Sequence, residues 1–257
     1  MNNILRSENI RKDPLIIHEM NTNGSCCIAN FLTRKQLASL QQSVRLDASK
    51  HNGQYFAHHG GEAIESSLLG LLGASPEFRA MLEYIYQAGA GKAAYSDEIL
   101  KVLRCVQGES GRRESNLFHY DASLVTVLLP IEIPQSETIR GDLIMFPNLR
   151  RLRSNVLTNL VEKALLQNRL SRRLISTFIS HGLLQPIKLQ LVPGNLYLFW
   201  GYRTLHANEP CDPAYRRATA IFHYGDPHAG SLATRLILKL NQRRAARASA
   251  LGTLPTA

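Results

Sequence analysis

Apolar residues have helical spacing in some regions of this chain and form short strand-like runs in others. The change between the two patterns divides the chain into regions. Over residues 32–95 the spacing is typical of helices, with Thr33 as a candidate N-cap. A second helical stretch, Ser66 to Gln87, is interrupted close to Pro76. Residues 32–95 are therefore predicted to form a helical support for the rest of the chain.

Short apolar runs that are rich in β-branched and aromatic residues predict strands before and after this support. Pro14–His18 is predicted to be an edge strand, and Cys26–Phe31 a short strand. Longer runs follow from residue 99 onward. The later predicted strands are Ile99–Val106, Ser123–Pro130, Gly141–Pro147, Leu191–Trp200 and Arg217–Tyr224. The chain is therefore predicted to be mainly β with flanking helices, an α+β protein.

Residues 149–190 interrupt the strands and are strongly basic. They contain eight Lys and Arg residues and one acid, Glu162, which gives a net charge of +7. Their apolar residues have helical spacing, Ser154 and Ser171 are candidate N-caps, and Gly182 is a candidate C-cap. Two basic amphipathic helices are predicted for this insert.

The C-terminal residues 231–257 repeat the basic pattern, with five cations, no acids and one apolar helical face. Insert and tail together carry +12, whereas the whole chain carries +10, so the remainder is close to −2. Segregated basicity of this kind indicates an anionic partner, which we expect to be an anionic membrane surface. Nucleic acid is the alternative, and the third interpretation is that the cations are simply solvated.

Length and composition limit the class of protein. The 257 residues fit one domain, 1–257, and contain no apolar run long enough to cross a bilayer. The first residues lack the apolar segment of a secretory signal, and the four cysteines show no metal-binding spacing. We therefore expect a cytoplasmic protein with reduced thiols.

The candidate chemistry is concentrated at Phe118-His119-Tyr120-Asp121. Residues two apart on a strand point to the same side, so His119 and Asp121 can direct an imidazole and a carboxylate at one point. His206, which follows a predicted strand, could complete a set of two histidines and one carboxylate. Such a set leaves three metal positions open and suits non-haem Fe(II) and oxygen chemistry.

The order His119-x-Asp121, His206 and then Arg217, eleven residues further on, resembles the Fe(II)/2-oxoglutarate-dependent dioxygenases, in their phytanoyl-CoA hydroxylase-like branch. The resemblance covers roughly residues 100–226. It implies a double-stranded β-helix (a cupin-like jelly roll) over residues 99–226, with iron, 2-oxoglutarate and O2 as cofactor and cosubstrates.

By the same resemblance, iron is held by His119, Asp121 and His206, and the far carboxylate of 2-oxoglutarate by Arg217 and Thr219. Alternation along the strand turns Arg216 outward if Arg217 points inward. Asp121 favours hydroxylation or desaturation, because relatives that halogenate carry a small residue there.

Three further arginines are candidates for ligand contact. Arg104 lies on a strand that could face the barrel and assist the cosubstrate, although a surface position fits equally well. Arg112 and Arg113 lie in a charged loop before the iron motif, where they could contact an anionic substrate or remain solvated.

The substrate is not encoded in the motif. A basic protein of this size without a signal peptide is similar to the hydroxylases that modify the Kdo sugar of lipid A precursors at the cytosolic face of the inner membrane. The base-repair branch has a second arginine six residues after the first, where this chain has His223, and this argues against nucleic acid. The alternatives are a small-molecule tailoring hydroxylase and a non-catalytic, cupin-like metal-binding module.

Overall fold

The computed structural model describes residues 12–135, 139–153, 162, 164–166 and 168–229. Its first element corrects the sequence prediction for Pro14–His18, which is helical rather than extended. Helix α1 spans Pro14–Thr22. The Asp13 carboxylate accepts a hydrogen bond of 2.9 Å from the Leu15 amide, and Pro14 occupies the first turn, where its missing N–H costs nothing.

Helices α2 to α5 form the support predicted over residues 32–95, together with one edge strand. Their bounds are α2 Arg34–Lys50, α3 Glu62–Glu65, α4 Leu68–Ala74 and α5 Pro76–Ala90. Thr33 caps α2 in a reciprocal capping box with Gln36, and Ser75 caps α5 immediately before Pro76. The predicted helix interruption at Pro76 is therefore confirmed.

The strands form two antiparallel sheets. The strands are β1 Cys26–Ile28, β2 Phe56–His59, β3 Ile99–Val106, β4 Val125–Glu132, β5 Leu143–Phe146, β6 Ile187–Leu189, β7 Leu196–Trp200, β8 Leu205–Asn208 and β9 Arg217–Tyr224. The larger sheet has the order β1-β7-β4-β9-β3-β2, and the smaller has the order β6-β5-β8.

Alternation along the central strands separates two apolar layers. On β9, Ala218, Ala220 and Phe222 pack on the helices, whereas Ile221 packs in the space between the sheets. That interior also contains Phe199 of β7. Because side chains alternate, Arg217 and Thr219 lie on the interior face of β9 with Ile221. A polar site can therefore form inside an otherwise apolar barrel.

The basic insert contributes one described helix, α7, spanning Arg169–Ser180. Its N-cap is Asn168, whose side chain accepts from the amide of Ser171, so the predicted cap at Ser171 is wrong by three residues. The C-cap is His181, and Gly182 follows it with φ +70°, so the predicted cap at Gly182 is displaced by one residue. Most of the first predicted insert helix, with its cap at Ser154, lies outside the described residues. The predicted tail helix lies outside them entirely.

Between β3 and the iron motif, the stretch predicted as a flexible loop contains a short helix, α6, spanning Gly108–Arg112. Among the described residues, no helix has both the length and the apolar character needed to cross a bilayer.

Candidate metal centre

The two candidate histidines approach each other because their backbones pair. His119 and His206 exchange both backbone hydrogen bonds, at 3.0 and 3.1 Å, in an isolated antiparallel bridge. The bridge places His119 beside β8 at the edge of the smaller sheet. Their ring centroids consequently lie 4.4 Å apart.

Backbone carbonyls fix the orientation of both imidazoles. Nδ1 of His119 donates to the carbonyl of Leu117 at 2.7 Å, and Nδ1 of His206 donates to that of Thr204 at 3.0 Å. A carbonyl only accepts, so the proton lies on Nδ1 and the Nε2 lone pair is free for a metal. Both histidines therefore present the tautomer that a metal ligand requires.

Asp121 supplies the carboxylate between the two rings. Oδ1 lies 3.6 Å from Nε2 of His119, and Oδ2 lies 3.6 Å from Nε2 of His206. The hydroxyl of Thr126 donates to Oδ2 at 2.5 Å, and the amide of Asp121 donates to the carbonyl of Gly201 at 3.1 Å. The carboxylate is thus held in one orientation.

These three side chains form the candidate metal-binding cluster of the described residues, with one donor atom from each within 4.8 Å of the others. Two imidazoles and a carboxylate match the donor preference of Fe(II) in oxygen-activating sites. The predicted set of His119, Asp121 and His206 therefore comes together in space with donor types that fit iron.

The protonation states also suit a metal. Burial lowers the pKa of His119 to about 4, and the neighbouring His206 adds to the shift. For Asp121, burial opposes ionisation, but His206, His223 and His119 with the Thr126 hydroxyl outweigh it and hold the pKa below its usual range. At neutral pH, His119 and Asp121 are therefore already deprotonated and need lose no proton to a metal.

Arg217 lies deeper between the sheets, as alternation predicts. Its side chain is 2% exposed, and a terminal nitrogen donates to Oδ1 of Asn208 at 2.9 Å. Nε is buried and has no hydrogen-bond partner among the described residues. Burial, followed by the charge of Arg104, lowers the pKa of Arg217 to about 10. A buried cation with donors to spare is suited to a carboxylate ligand.

Thr219 and Arg104 lie beside Arg217. The hydroxyl of Thr219 accepts from Arg217 at 3.5 Å, and Arg104 is the cross-strand partner of Thr219 on β3. Arg104 therefore faces the interior, but its charge is already paired with Glu114 at 2.6 Å. The net positive charge available to an anion in this region is consequently that of Arg217.

Arg112 and Arg113 lie at the end of α6. Arg112 is 3.6 Å from Glu109, with 62% of its side chain exposed, and Arg113 is also exposed. Neither joins the buried cluster. A substrate contact for these two residues stays a prediction.

Gly201 is part of the site, although the sequence did not single it out. A Cβ at this position would lie 2.0 Å from Oγ1 of Thr126 and 2.3 Å from Oδ2 of Asp121. Asn208 was missed as well, although its position two residues after His206 on the same strand places both on one face.

We expect Gly201→Ala to weaken divalent metal binding by about 10–100-fold, because the methyl group must displace Asp121 or Thr126. Titration of the folded apoprotein with Co(II), followed by d–d absorption, measures the effect. Gly73→Ala is the matched control, since its Cβ meets the flexible side chain of Lys101 at 2.8 Å. Equal metal affinity for both variants would contradict the assigned role of Gly201.

A cavity of about 470 Å³ borders the metal cluster at Asp121. Its lining includes Ser123, Glu98 and Asp226 together with His223, whose Nδ1 is 3.8 Å from Oδ2 of Asp121. The cavity falls within the usual size range of small-molecule sites. Its lining combines hydrogen-bonding groups with small apolar side chains.

No protein-family model matches the chain, and no curated protein matches it in sequence. Solved structures do match. A prolyl 4-hydroxylase from Phytophthora capsici is 15% identical with a TM-score of 0.59, over 88% of this chain and 66% of that one. The chain therefore spans just under two thirds of the Phytophthora protein.

Two further structures match over most of their own length. The non-haem α-ketoglutarate-dependent carbocyclase SnoK of nogalamycin biosynthesis is 15% identical with a TM-score of 0.56, over 86% of both chains. A Trichoplax adhaerens prolyl hydroxylase, in complex with a hypoxia inducible factor peptide, is 18% identical with a TM-score of 0.54, over 87% of this chain and 94% of that one.

These similarities establish the fold. The two facing antiparallel sheets and flanking helices form the double-stranded β-helix of this group of oxygenase structures, so the predicted fold class is confirmed.

Proposed function

We propose that the protein is a non-haem Fe(II)- and 2-oxoglutarate-dependent dioxygenase. The main support is the buried cluster of His119, Asp121 and His206, in which backbone carbonyls orient both imidazoles. The same barrel also encloses Arg217. The similarity to SnoK supports the same conclusion, because that protein is described as α-ketoglutarate dependent.

The residues have separate tasks in this proposal. His119, Asp121 and His206 would hold iron, while Arg217 and Thr219 would hold the far carboxylate of 2-oxoglutarate, with Arg104, whose charge is paired with Glu114, beside them on the interior face. When bound, iron and 2-oxoglutarate would supply the O2 activation needed to hydroxylate an unactivated C–H bond, with release of succinate and CO2. Thr126 fixes the Asp121 carboxylate, and the apolar interior around Phe199 excludes water from the cosubstrate.

The test is an anaerobic titration of the apoprotein with Fe(II) and 2-oxoglutarate, following the weak visible charge-transfer band of a chelated 2-oxo acid. We expect the band only when both components are present. A folded protein that gives no band contradicts the proposal. A band without succinate release, in air and with candidate substrates, would instead favour the cupin-like metal-binding module.

For the substrate we propose an anionic, membrane-anchored molecule such as the Kdo sugar of a lipopolysaccharide precursor, reached at the cytosolic face of the inner membrane. The support is the segregated charge of residues 149–190 and 231–257. The exposed Arg112 and Arg113 would contact the anionic groups.

Helix α7 has the surface that this proposal needs. Ile175 and Ile179 pack toward the outer face of the smaller sheet, whereas the opposite side exposes Leu170, Leu174 and Phe178 by 68%, 46% and 42%. These three residues are spaced four apart on one helical face, which also carries the exposed Arg173. An apolar face with adjacent cations suits the interface of an anionic bilayer.

We expect the protein to cosediment with vesicles containing anionic phosphatidylglycerol and not with phosphatidylcholine alone, and salt should weaken the binding. The double substitution Leu174→Ser with Phe178→Ser should weaken it by about 10-fold or more, through loss of buried apolar area. Leu46→Ser, at a 61% exposed leucine of α2, is the matched control. Binding unaffected by the double substitution would contradict the role of α7.

A second candidate function is a small-molecule tailoring hydroxylase. The 470 Å³ cavity beside Asp121 favours it, because its lining can hydrogen-bond a polar small molecule without any membrane. Full activity without vesicles, together with no vesicle binding at low salt, would select this candidate over the membrane-anchored substrate.

A further inference from the structure

The guanidinium of Arg150 lies between two tyrosine rings beneath the metal cluster. Its carbon is 4.0 Å from the ring centroid of Tyr120 and 4.1 Å from that of Tyr202. Arg150 is only 5% exposed, although it begins the basic insert. We call this arrangement the arginine sandwich.

The two rings belong to the two segments that carry the metal donors. Tyr120 stands between His119 and Asp121 in the chain. Tyr202 lies between Gly201, whose carbonyl accepts from the Asp121 amide, and Thr204, whose carbonyl orients His206. The arginine sandwich therefore joins segments 119–121 and 201–206 on the side away from the donors.

Hydrogen bonds fix the guanidinium within this sandwich. Nε donates to the carbonyl of Tyr202 at 2.7 Å, and the backbone amide of Arg150 donates to the carbonyl of Arg203 at 3.2 Å. A planar guanidinium can stack on both faces and donate in its own plane at the same time. A lysine ammonium has no such plane, so it cannot fill both roles.

The same side chain reaches the insert. A terminal nitrogen of Arg150 lies 3.3 Å from Glu162, and Nε of Arg153 donates to the same carboxylate at 3.1 Å. These ion pairs lower the pKa of Glu162, the Arg153 hydrogen bond most strongly. A continuous set of contacts therefore runs from the insert to the metal-bearing segments.

We propose that Arg150 is a positioning residue of the metal centre, which sets the spacing of the two donor-bearing segments and connects them to the basic insert. The inference rests on the proposed metal site. It adds a structural role for the insert that is independent of any membrane or substrate.

The test is Co(II) titration of the folded apoprotein for wild type, Arg150→Lys and Arg150→Met, with d–d absorption reporting both affinity and coordination geometry. We expect each Arg150 variant to bind about 10–100-fold more weakly, with altered d–d bands. Arg153→Lys is the matched control, because Arg153 shares Glu162 but keeps 37% of its side chain exposed. It should stay within about twofold of wild type, as an exposed substitution does.

Tyr120 offers a second pair of variants in case the Arg150 variants fail to fold. Tyr120→Phe keeps the ring and should retain the wild-type d–d bands, whereas Tyr120→Leu removes one side of the arginine sandwich and should change them. Denaturant unfolding of each apoprotein separates a general loss of stability from a changed metal geometry, since stability alone does not alter the spectrum of the folded fraction.

Unchanged affinity and bands in folded Arg150 or Tyr120→Leu variants would overturn the inference, and so would an equal loss in Arg153→Lys. A wild-type protein that binds no Co(II) would overturn the proposed metal site and this inference together. Normal wild-type binding with unaffected variants would overturn this inference alone.

Discussion

Replacing any one of His119, Asp121 and His206 with alanine is expected to remove measurable Fe(II) binding. Each side chain supplies one of three clustered donors, so each substitution leaves the ion only two protein ligands and weakens its binding. The loss should be at least about 100-fold, because outer partners of metal ligands alone are worth about 10–100-fold. Co(II) titration, and the Fe(II)–2-oxoglutarate band under anaerobic conditions, both measure it.

The Asp121 position allows a sharper comparison. Asp121→Asn keeps the size of the side chain and can still accept from Thr126, so its loss of affinity reports mainly the missing negative charge. His58→Ala is the matched control, because His58 contacts the carboxylate of Asp47 at 2.5 Å outside the metal cluster. If the three alanine variants fold and bind Co(II) as tightly as His58→Ala, the assigned cluster is wrong.

Local periodicity was enough to predict that Arg216 and Arg217 point to opposite faces, although it left the direction of Arg104 open. Arg216 and Arg217 are adjacent, and the alternation rule alone places them on opposite faces. The structure bears this out: Arg217 is buried in the barrel, whereas Arg216 forms a bidentate ion pair with Glu132 at 3.0 Å. The order and spacing of His119, Asp121 and His206 likewise allowed a shared cluster to be predicted, because the motif lies next to well-defined strands.

Residues that act through long-range packing could not be predicted in this way. Gly201 is required because Thr126 and Asp121 approach it from a different part of the chain, and nothing in its local sequence shows that approach. In the sequence, Arg150 is one of several cations of the basic insert, and only the folded structure shows that it lies between Tyr120 and Tyr202. Their roles depend on tertiary contacts rather than on period or motif.

The misassigned N-terminal element has a local cause. Pro14-Leu-Ile-Ile-His18 is apolar, β-branched and begins with proline, a combination that fits an edge strand. The same proline also fits the first turn of a helix, and the preceding Asp13 supplies the cap. The residue that favours the helix, Asp13, lies one position before the apolar run Pro14–His18 and is not part of the strand-like pattern.

Replacing Arg217 with methionine is expected to weaken 2-oxoglutarate binding by at least about 30-fold, the lower end of the cost of removing one partner of a buried charge pair. The buried guanidinium, with Nε unpartnered among the described residues, would provide donors for the cosubstrate carboxylate in the proposed function. Arg217→Lys should also lose affinity, because an ammonium cannot form two parallel hydrogen bonds. The dependence of the anaerobic charge-transfer band on 2-oxoglutarate concentration measures both.

Metal affinity and stability should respond differently from cosubstrate affinity. Co(II) binding to Arg217→Met should remain within about threefold of wild type, since Arg217 is not a donor and distant effects add independently. Unfolding free energy should change by about 1 kcal/mol or less, because burial already lowers the pKa of Arg217 to about 10 and so penalises its charge in the folded protein. A large stability loss would instead indicate a purely structural arginine.

Arg216→Met, at the residue immediately before β9, is the matched control. It removes a cation that pairs with Glu132 on the opposite face, so 2-oxoglutarate binding should be unchanged. If Arg216→Met and Arg217→Met weaken the charge-transfer band equally, the effect is one of overall charge. A loss confined to Arg217 identifies a cosubstrate site on the interior face of β9, because consecutive side chains of an extended segment point to opposite faces.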